Sequence, residues 1–190
     1  KAHAKGINNV SFQYGDCRSF QYFKKVQVVI CLYDVIGSFV DENDNIKIIK
    51  NIANALESGG IAIISVMNYE LTRSIAKHMF KFSENPNAIL NLPTSGIMEN
   101  TGNVFDPDYY FIDEDTEIVY RKERFDQGNN LPVELIVRDK RYTMEEITLL
   151  CERNGLHVEF SRFVNAGDWK SGYEATNKSA KEILLKCIKI

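Results

Sequence analysis

Two short apolar segments on either side of an amphipathic segment constrain the fold of this chain more than any other feature. Residues 26–32 and 61–67 are rich in β-branched side chains, as is typical of strands buried on both faces of a parallel sheet. The apolar residues between them recur at i, i+3, i+4 and i+7, the spacing of one helix face: Ile49, Ile52, Ala53 and Leu56. The pattern predicts a βαβ unit.

The ends of this unit indicate where a ligand would bind. Asp41 or Asn43 can cap the start of the helix, and Gly59-Gly60 can supply the left-handed residue that ends it. Two parallel strands joined by a helix require a right-handed crossover, and open sheets of this kind bind ligands at the carboxyl ends of their strands. Four residues stand at those ends: Tyr33, Asp34, Met67 and Asn68.

Composition excludes several classes of protein. The 190 residues are 44% apolar and suffice for one domain with a sizeable core. A net charge of −3 with scattered Lys and Arg residues argues against a nucleic-acid partner. No apolar run has the roughly 18 to 20 residues that a membrane span requires. We expect a cytoplasmic protein with no membrane partner.

Cysteine and histidine spacing gives no metal motif. Three of the four cysteines lie in apolar runs and are predicted to be buried free thiols: Cys31, Cys151 and Cys187. No two cysteines form a C-x-x-C pair, and the three histidines are isolated from one another. The sequence therefore predicts no metal site.

The remaining segments are assigned by periodicity and by turn residues. Residues 10–14 alternate as a strand, and a second amphipathic helix is predicted from the spacing of Leu71, Ile75, Met79 and Phe82. Residues 85–108 carry three prolines and two glycines and are predicted to form a long irregular loop, which in compact domains is usually functional or mobile.

The C-terminal half of the chain has clearer signals. Residues 116–125 and 131–138 flank a polar, Gly-containing turn and predict an antiparallel hairpin. A capping box at Thr143 begins a helix that Asn154-Gly155 ends. Four residues of this helix are expected to face inward: Met144, Ile147, Leu150 and Cys151. Residues 157–164 and 180–190 predict a final antiparallel strand pair at the sheet edge.

The order of three short motifs resembles the class I S-adenosylmethionine-dependent methyltransferases. Gly15-Asp16 follows a predicted strand, residues 56–60 (Leu-Glu-Ser-Gly-Gly) precede a strand, and residues 141–156 precede the terminal strand pair. The resemblance covers nearly the whole chain and corresponds to the C-terminal two-thirds of that family. It implies an α/β, Rossmann-like, mostly parallel sheet with helices on both faces, an antiparallel C-terminal strand pair and an inserted β-hairpin.

The resemblance also implies the cofactor, S-adenosyl-L-methionine, and its contacts. Gly15-Asp16 would meet the adenine, with the Asp16 carboxylate accepting from the exocyclic amine and the Cys17 backbone N–H donating to a ring nitrogen. Cys31, Leu32 and Tyr33 would line the methionine part and face the acceptor. An ordinary strand-to-loop turn is the alternative for Gly15-Asp16, and packing under a loop is the alternative for Tyr33.

One family motif is absent. Members of the family hold the cofactor's carboxylate and ribose on a Gly-rich turn after their first strand, but no two of the 11 glycines here stand at i and i+2. We therefore expect one methyltransferase-like domain over residues 1–190 that is N-terminally incomplete. The intact protein is expected to have about 50 to 80 further residues, roughly two βα units, before Lys1.

The predicted reaction is methyl transfer to a small-molecule acceptor. Such a transfer requires donor and acceptor to be held in line, so little acid–base machinery is needed. Four residues are candidates for a general base: Tyr33, Asp34, Tyr142 and Asp168. Residues 85–138 are predicted to be a lid or acceptor-binding insertion, in which Tyr109 and Tyr110 join Met67 and Asn68 in binding the acceptor.

Three alternatives stay open at this level. The hairpin within the insertion is equally consistent with a ribbon that joins two copies in a homodimer. The sheet could serve another α/β nucleotide-binding transferase. The chain could also be a non-catalytic interaction module that retains a degenerate methyltransferase fold.

Overall fold

The described part of the chain contains two β-sheets and three α-helices. A computed structural model describes residues 5–6, 8–94, 104–125, 133–165 and 179–190. The elements follow one another as β1 (Val26–Cys31), α1 (Glu42–Ala55), β2 (Leu56–Met67), α2 (Tyr69–Ile75), β3 (Met79–Phe80), a 3₁₀ helix (Pro86–Asn91), β4 (Tyr110–Asp113), β5 (Val119–Phe125), β6 (Val133–Asp139), α3 (Met144–Glu152), β7 (Leu156–Val164) and β8 (Glu182–Lys189).

The first sheet has the strand order β1-β2-β8-β7. Strands β1 and β2 are parallel, whereas β8 is antiparallel to both of its neighbours, β2 and β7. Three of the four strands therefore run in one direction. The predicted βαβ unit and the antiparallel C-terminal pair are both confirmed. Of that pair, β7 forms an edge of the sheet, whereas β8 lies inside the sheet between β2 and β7.

Helix α1 begins where the sequence predicted and ends earlier. The Asp41 side chain accepts a hydrogen bond from the backbone amide of Asn43 and caps the first turn. The last helical residue is Ala55, and Leu56 already has extended backbone angles. Gly59, with φ of 75°, lies in a bulge near the start of β2 and not at the helix end. The expectation that Gly59-Gly60 ends the helix is thus wrong by four residues.

Helices α1 and α3 pack against the same face of the first sheet. Both contribute to one hydrophobic cluster, which includes Ile48, Ile49, Ile52 and Ala53 from α1, Ala62, Ile64 and Val66 from β2, Ile147 and Cys151 from α3, and Ile183, Leu185 and Cys187 from β8. These strand residues alternate along β2 and β8, as side chains on one face of a sheet must. The α/β class is confirmed, but these two helices cover one face and not both.

Strand β1 is the exposed edge of this sheet among the described residues. Val28 and Ile30 are 51% and 64% exposed, whereas Val29 and Cys31 point to the opposite face and pack against the core. The prediction that residues 26–32 are buried on both faces is therefore wrong. The β-branched composition correctly indicated a strand but could not show that one of its faces lacks a covering helix among the described residues.

The second sheet has the order β3-β4-β5-β6. Strands β5 and β6 form the predicted hairpin, with Phe125 opposite Val133 at the end that leads into the connecting turn. The predicted helix over residues 71–82 is wrong in its second half, because the backbone leaves the helical region at Ala76 and residues 79–80 pair with β4. Strand β4 follows the segment predicted as an irregular loop and lies within the insertion predicted over residues 85–138; residues 95–103 and 126–132 of that insertion lie outside the described residues.

Two further predictions have opposite outcomes. Residues 10–14 form no strand; Phe12 and Tyr14 are exposed, and this stretch pairs with no described strand. The capping box is confirmed, since the Thr143 hydroxyl and the Glu146 carboxylate each bond the other's backbone amide. The inward residues of α3 are confirmed as well.

None of the described helices has the length and apolarity needed to cross a bilayer.

Candidate active site

The carboxyl ends of β1 and β2 lie side by side, because the two strands are parallel neighbours. Tyr33 lies two residues beyond the end of β1. Its φ of 64° places a non-glycine residue in the left-handed region. Its backbone nitrogen donates to the Ser65 hydroxyl at 2.8 Å. A strained residue held by a buried partner is a feature that clusters at ligand sites.

The loop after β1 is anchored by a buried asparagine. Asn45 Oδ1 accepts from the Gly37 amide at 2.9 Å, and its Nδ2 donates to the Phe39 carbonyl at 2.7 Å. Asn45 is on α1 and fully buried. The anchored loop holds Asp34, which is half-buried, at the carboxyl end of the sheet.

A buried charge network joins the second sheet to the connection that leads into α3. Asp139 accepts from Arg121 Nη1 at 2.6 Å and from Arg141 Nε at 2.9 Å, and Arg121 Nε donates to Glu123 at 2.9 Å. All four side chains are at most 5% exposed. Two guanidinium groups and two carboxylates therefore neutralise each other, which buried charges require.

Arg141 is held on every side. Its Nη1 donates to the Thr72 hydroxyl at 2.7 Å and its Nη2 to the Val104 carbonyl at 2.8 Å. The guanidinium carbon lies 4.9 Å from the ring centre of Phe105 and 5.5 Å from that of Tyr110. These contacts are typical of a rigid structural arginine.

Glu182 is the most unusual side chain in this region. It begins β8 opposite Met67, and both carboxyl oxygens are buried with no hydrogen-bond partner among the residues that the structure describes. Burial raises the pKa of this carboxyl, which the neighbouring Ser65 hydroxyl lowers in part and the charge of Asp34 raises further. The negative charge of Asp34 also interacts with the guanidinium group of Arg121. A buried carboxyl with no hydrogen bond costs stability and calls for a functional explanation.

A cavity of about 510 Å³ lies between β1, α1 and the N-terminal segment, residues 13–22. It brings together four of the six residues that were predicted to bind the cofactor: Gly15, Cys17, Cys31 and Leu32. Its other walls are largely apolar and include Val29, Ile48 and Ile52. Tyr33 is not part of the lining and stays 43% exposed beside it.

Asp16 lies next to the cavity lining in sequence but is engaged by an arginine. Its carboxylate accepts from Arg18 Nε and Nη2, and Arg18 Nη1 reaches Asp44 on α1. The hydrogen bonds from Arg18 hold the pKa of Asp16 at about 2. The Cys17 carbonyl accepts from Asn51. The N-terminal segment is thereby attached to α1 by polar contacts.

The residues predicted on the acceptor side have different surroundings. Tyr110 is fully buried in β4, its hydroxyl donates to the Thr72 carbonyl at 2.8 Å, and burial raises its pKa to about 12. Asn68 is buried and caps α2, and Met67 is 9% exposed. Tyr142, predicted as a candidate general base, is buried in the core, where burial raises its pKa, and its hydroxyl donates to Glu42. Tyr109 is half-buried.

Three residues of this region were not predicted from the sequence. Ser65, Arg121 and Glu182 carry no motif, and Glu182 stands directly after Lys181 at the start of an apolar run. Asp168, a candidate base, lies outside the described residues.

Cys151 and Cys187 are buried as predicted, whereas Cys31 is half-buried and Cys17 exposed. Within the described ranges, no three His, Cys, Asp or Glu side chains group so as to hold a metal ion.

No protein-family model matches the chain. No curated protein matches it at a significant level.

Several solved structures share its fold. One is an S-adenosylmethionine-dependent methyltransferase from Clostridium acetobutylicum ATCC 824, with 15% identity and a TM-score of 0.60 over 100% of this chain and 68% of the other. A second is the CcbJ methyltransferase from Streptomyces caelestis, with 12% identity and a TM-score of 0.62 over 93% of this chain and 66% of the other.

A third similar structure is the PH0226 protein from Pyrococcus horikoshii OT3, with 15% identity and a TM-score of 0.57 over 100% of this chain and 63% of the other. The chain thus spans about two thirds of the length of each of these proteins. Identities this low concern the fold and not the activity. The chain has the Rossmann-like fold of the class I S-adenosylmethionine-dependent methyltransferases.

Proposed function

We propose that this chain is the larger part of an enzyme that transfers a methyl group from S-adenosylmethionine to a small-molecule acceptor. The observation that carries the proposal is the cavity of about 510 Å³, in which Gly15 and Cys17 face Cys31 and Leu32. A mostly apolar cleft with a few polar groups suits a small organic ligand. The cavity runs along β1 and reaches Leu32 beyond its carboxyl end, which is where ligands of such sheets usually bind.

The residues around the cavity suit an adenosyl group. Val29, Ile48 and Ile52 give the apolar surface that a purine ring needs. The Asp16 carboxylate accepts from the Arg18 backbone nitrogen and Nε at Oδ1 and from Nη2 at Oδ2, so an exocyclic amine would take the place of one of these donors. When bound, the cofactor would supply an activated methyl group, and the residues of this chain would hold it in line with the acceptor.

Glu182 and Asp34 support an acceptor site at the neighbouring strand end. The Glu182 carboxyl is buried, has no hydrogen bond among the described residues and lies close enough to Asp34 for the two charges to interact. A carboxyl of raised pKa is well suited to take a proton from an acceptor. We propose Glu182 as the proton acceptor of the reaction, and Asp34 as the charged group beside it.

The insertion would complete the acceptor side. Tyr110 is a buried side chain of the second sheet, so its replacement would disturb the fold, whereas Tyr109 is half-buried. Tyr109→Ala is therefore the cleaner variant. In the active enzyme it should raise the acceptor's KM or lower kcat without changing cofactor affinity. Unchanged constants would remove Tyr109 from the acceptor site.

Cofactor binding is the first experiment. The Gly-rich turn that would hold the amino-acid part has no counterpart in these 190 residues, so we expect the chain alone to bind weakly. NMR titration with S-adenosylhomocysteine measures weak binding, and the amides of Cys17 and Cys31 should shift. A micromolar dissociation constant would contradict the expected weakness, and no shift at either amide would overturn the cofactor site.

Matched variants sharpen that experiment. Asp16→Asn should raise the dissociation constant roughly tenfold or more, because a charged acceptor is lost. Asp44→Asn removes the other carboxylate on Arg18 and should leave affinity unchanged. Equal affinity of NAD and S-adenosylhomocysteine would favour a different nucleotide-binding transferase. Binding without methyl transfer by the full-length protein would favour a non-catalytic module.

The unpaired cysteines agree with a cytoplasmic enzyme. All four are free thiols, and free thiols are the usual state in a reducing compartment.

A further inference from the structure

Strand β6 is an edge strand that exposes apolar side chains. Among the described residues it pairs with β5 alone. Val133, Leu135 and Ile136 are 37%, 50% and 38% exposed, and Asp139 is its single buried residue. Proteins usually protect such an edge, because its free backbone groups and apolar side chains are a template for pairing with another strand.

The sequence of β6 is complementary to itself in the antiparallel direction. When two copies align about Ile136, Glu134 of each copy stands opposite Arg138 of the other. Leu135 stands opposite Val137, and Ile136 stands opposite its own copy. Opposite charges and paired apolar side chains are the favourable cross-strand combinations, and like charges directly opposite are unfavourable.

The other long edge strand lacks this property. Aligned about its middle residue, Phe160, a pair of β7 strands would place Val158 opposite Arg162 and Glu159 opposite Ser161. Glu159 is already paired with Lys186 of β8 within the chain. Self-complementarity thus distinguishes β6 from β7.

We propose that two copies of this chain form a two-fold symmetric dimer by antiparallel pairing of their β6 strands about Ile136. The pairing would join the two second sheets into one continuous eight-stranded sheet. A two-fold axis requires one patch to match itself, as β6 does. Glu134 and Arg138 are both exposed and so can reach across the interface, although Glu134 now accepts from the Thr94 hydroxyl.

Charge reversal tests the register. In sedimentation equilibrium the unaltered chain should dimerise, and Glu134→Arg or Arg138→Glu should each raise the dissociation constant at least about tenfold. The double variant should restore the dimer. Thr94→Val, which removes the present partner of Glu134, and Glu159→Arg, on the β7 edge, should have no effect. A monomeric chain at high concentration, or a dimer insensitive to both reversals, would overturn the proposal.

A cysteine cross-link gives an independent test that does not depend on weakening the dimer. In a Cys17→Ser background, Ile136→Cys should form a disulfide between the two copies on oxidation, because opposite residues of an antiparallel pair have Cα atoms about 4.5 to 5.5 Å apart. Val133→Cys would be far from its own copy and should not. Cross-linking through residue 133 and not through residue 136 would contradict this register. Thermal unfolding of each variant verifies that it is folded.

Discussion

The backbone nitrogen of Lys140 lies 2.8 Å from the carbonyl oxygen of Gly37 and donates a hydrogen bond to it. This contact joins the loop that follows β1 to the segment that follows β6. The first of these segments holds Tyr33 and Asp34, and the second holds Arg141. The candidate active site therefore lies where the two sheets are attached to each other.

Gly37→Ala should destabilise the protein strongly. Gly37 has φ of 112°, and an added Cβ would lie 2.4 Å from the Lys140 carbonyl oxygen. Strain and displacement of that backbone should together cost more than about 2 kcal/mol. Gly59 is the matched control, because it also has positive φ but nothing within 4 Å of an added Cβ. Urea unfolding should show a clearly smaller loss for Gly59→Ala, and equal losses would contradict the clash.

Asp139→Asn should lower the stability of the protein by disrupting the buried charge network. The variant leaves the guanidinium groups of Arg121 and Arg141 without their shared carboxylate. Breaking a buried ion pair costs about 3–5 kcal/mol. Asp108→Asn removes the exposed partner of Lys77 and should change the midpoint of urea unfolding little. A small effect at both positions would show that the network does not hold the sheets.

The Asp16 carboxyl should titrate at a pKa of about 2, because Arg18 bonds the charged form. A depressed pKa contributes stability above the ordinary value of 3.8 that is lost as the pH falls through about 2. Arg18→Gln should raise the pKa of Asp16 in a carbon-detected NMR titration. Lys47→Gln should act mainly on Asp44, whose pKa Lys47 lowers most. A pKa near 3.8 for Asp16 in the unaltered protein would contradict the ion pair with Arg18.

Glu182→Gln should increase stability. The folded state raises the pKa of this carboxyl above its ordinary value of 4.5, so the folded protein holds the proton more tightly than the unfolded chain. Stability of the unaltered protein therefore falls as the pH rises past that value, and the gain in the variant should grow with pH. Removing an unpaired buried carboxylate is worth about 1–3 kcal/mol.

The control for this variant is the exposed residue Glu84, where Glu84→Gln should give no gain. In the active enzyme Glu182→Gln should also lower kcat, since the proposed proton acceptor is lost. A variant that is less stable than the unaltered protein would assign Glu182 a structural role. A more stable variant with full activity would remove Glu182 from the reaction and leave the cofactor site untouched.

Local signals predicted the elements whose interactions lie within a few residues. The apolar spacing of Ile49, Ile52 and Ala53 identified α1, and the Thr143 and Glu146 pair marked the start of α3. The hairpin of β5 and β6 followed from alternation around a turn. Helix caps, helix faces and hairpins depend on near neighbours in sequence, so the chain specifies them before it packs.

Long-range pairing decided the rest. Residues 79–80 became strand β3, and not the end of a helix, because β4 offered a partner more than 30 residues away. The cavity that unites Gly15, Cys17, Cys31 and Leu32 follows from how the N-terminal segment folds back on β1 and α1. The sequence analysis named these four residues, but only their packing created a shared wall.

By itself, the amino-acid sequence determined the α/β class, the βαβ unit, the capped helices and the order of motifs that resembles the methyltransferases. Only the tertiary structure decided that Asp139 joins Arg121 and Arg141, that Glu182 is buried with no hydrogen bond from any described residue and that one face of β1 stays exposed. Burial and charge pairing depend on which strands become neighbours. No local pattern of side chains contains that information.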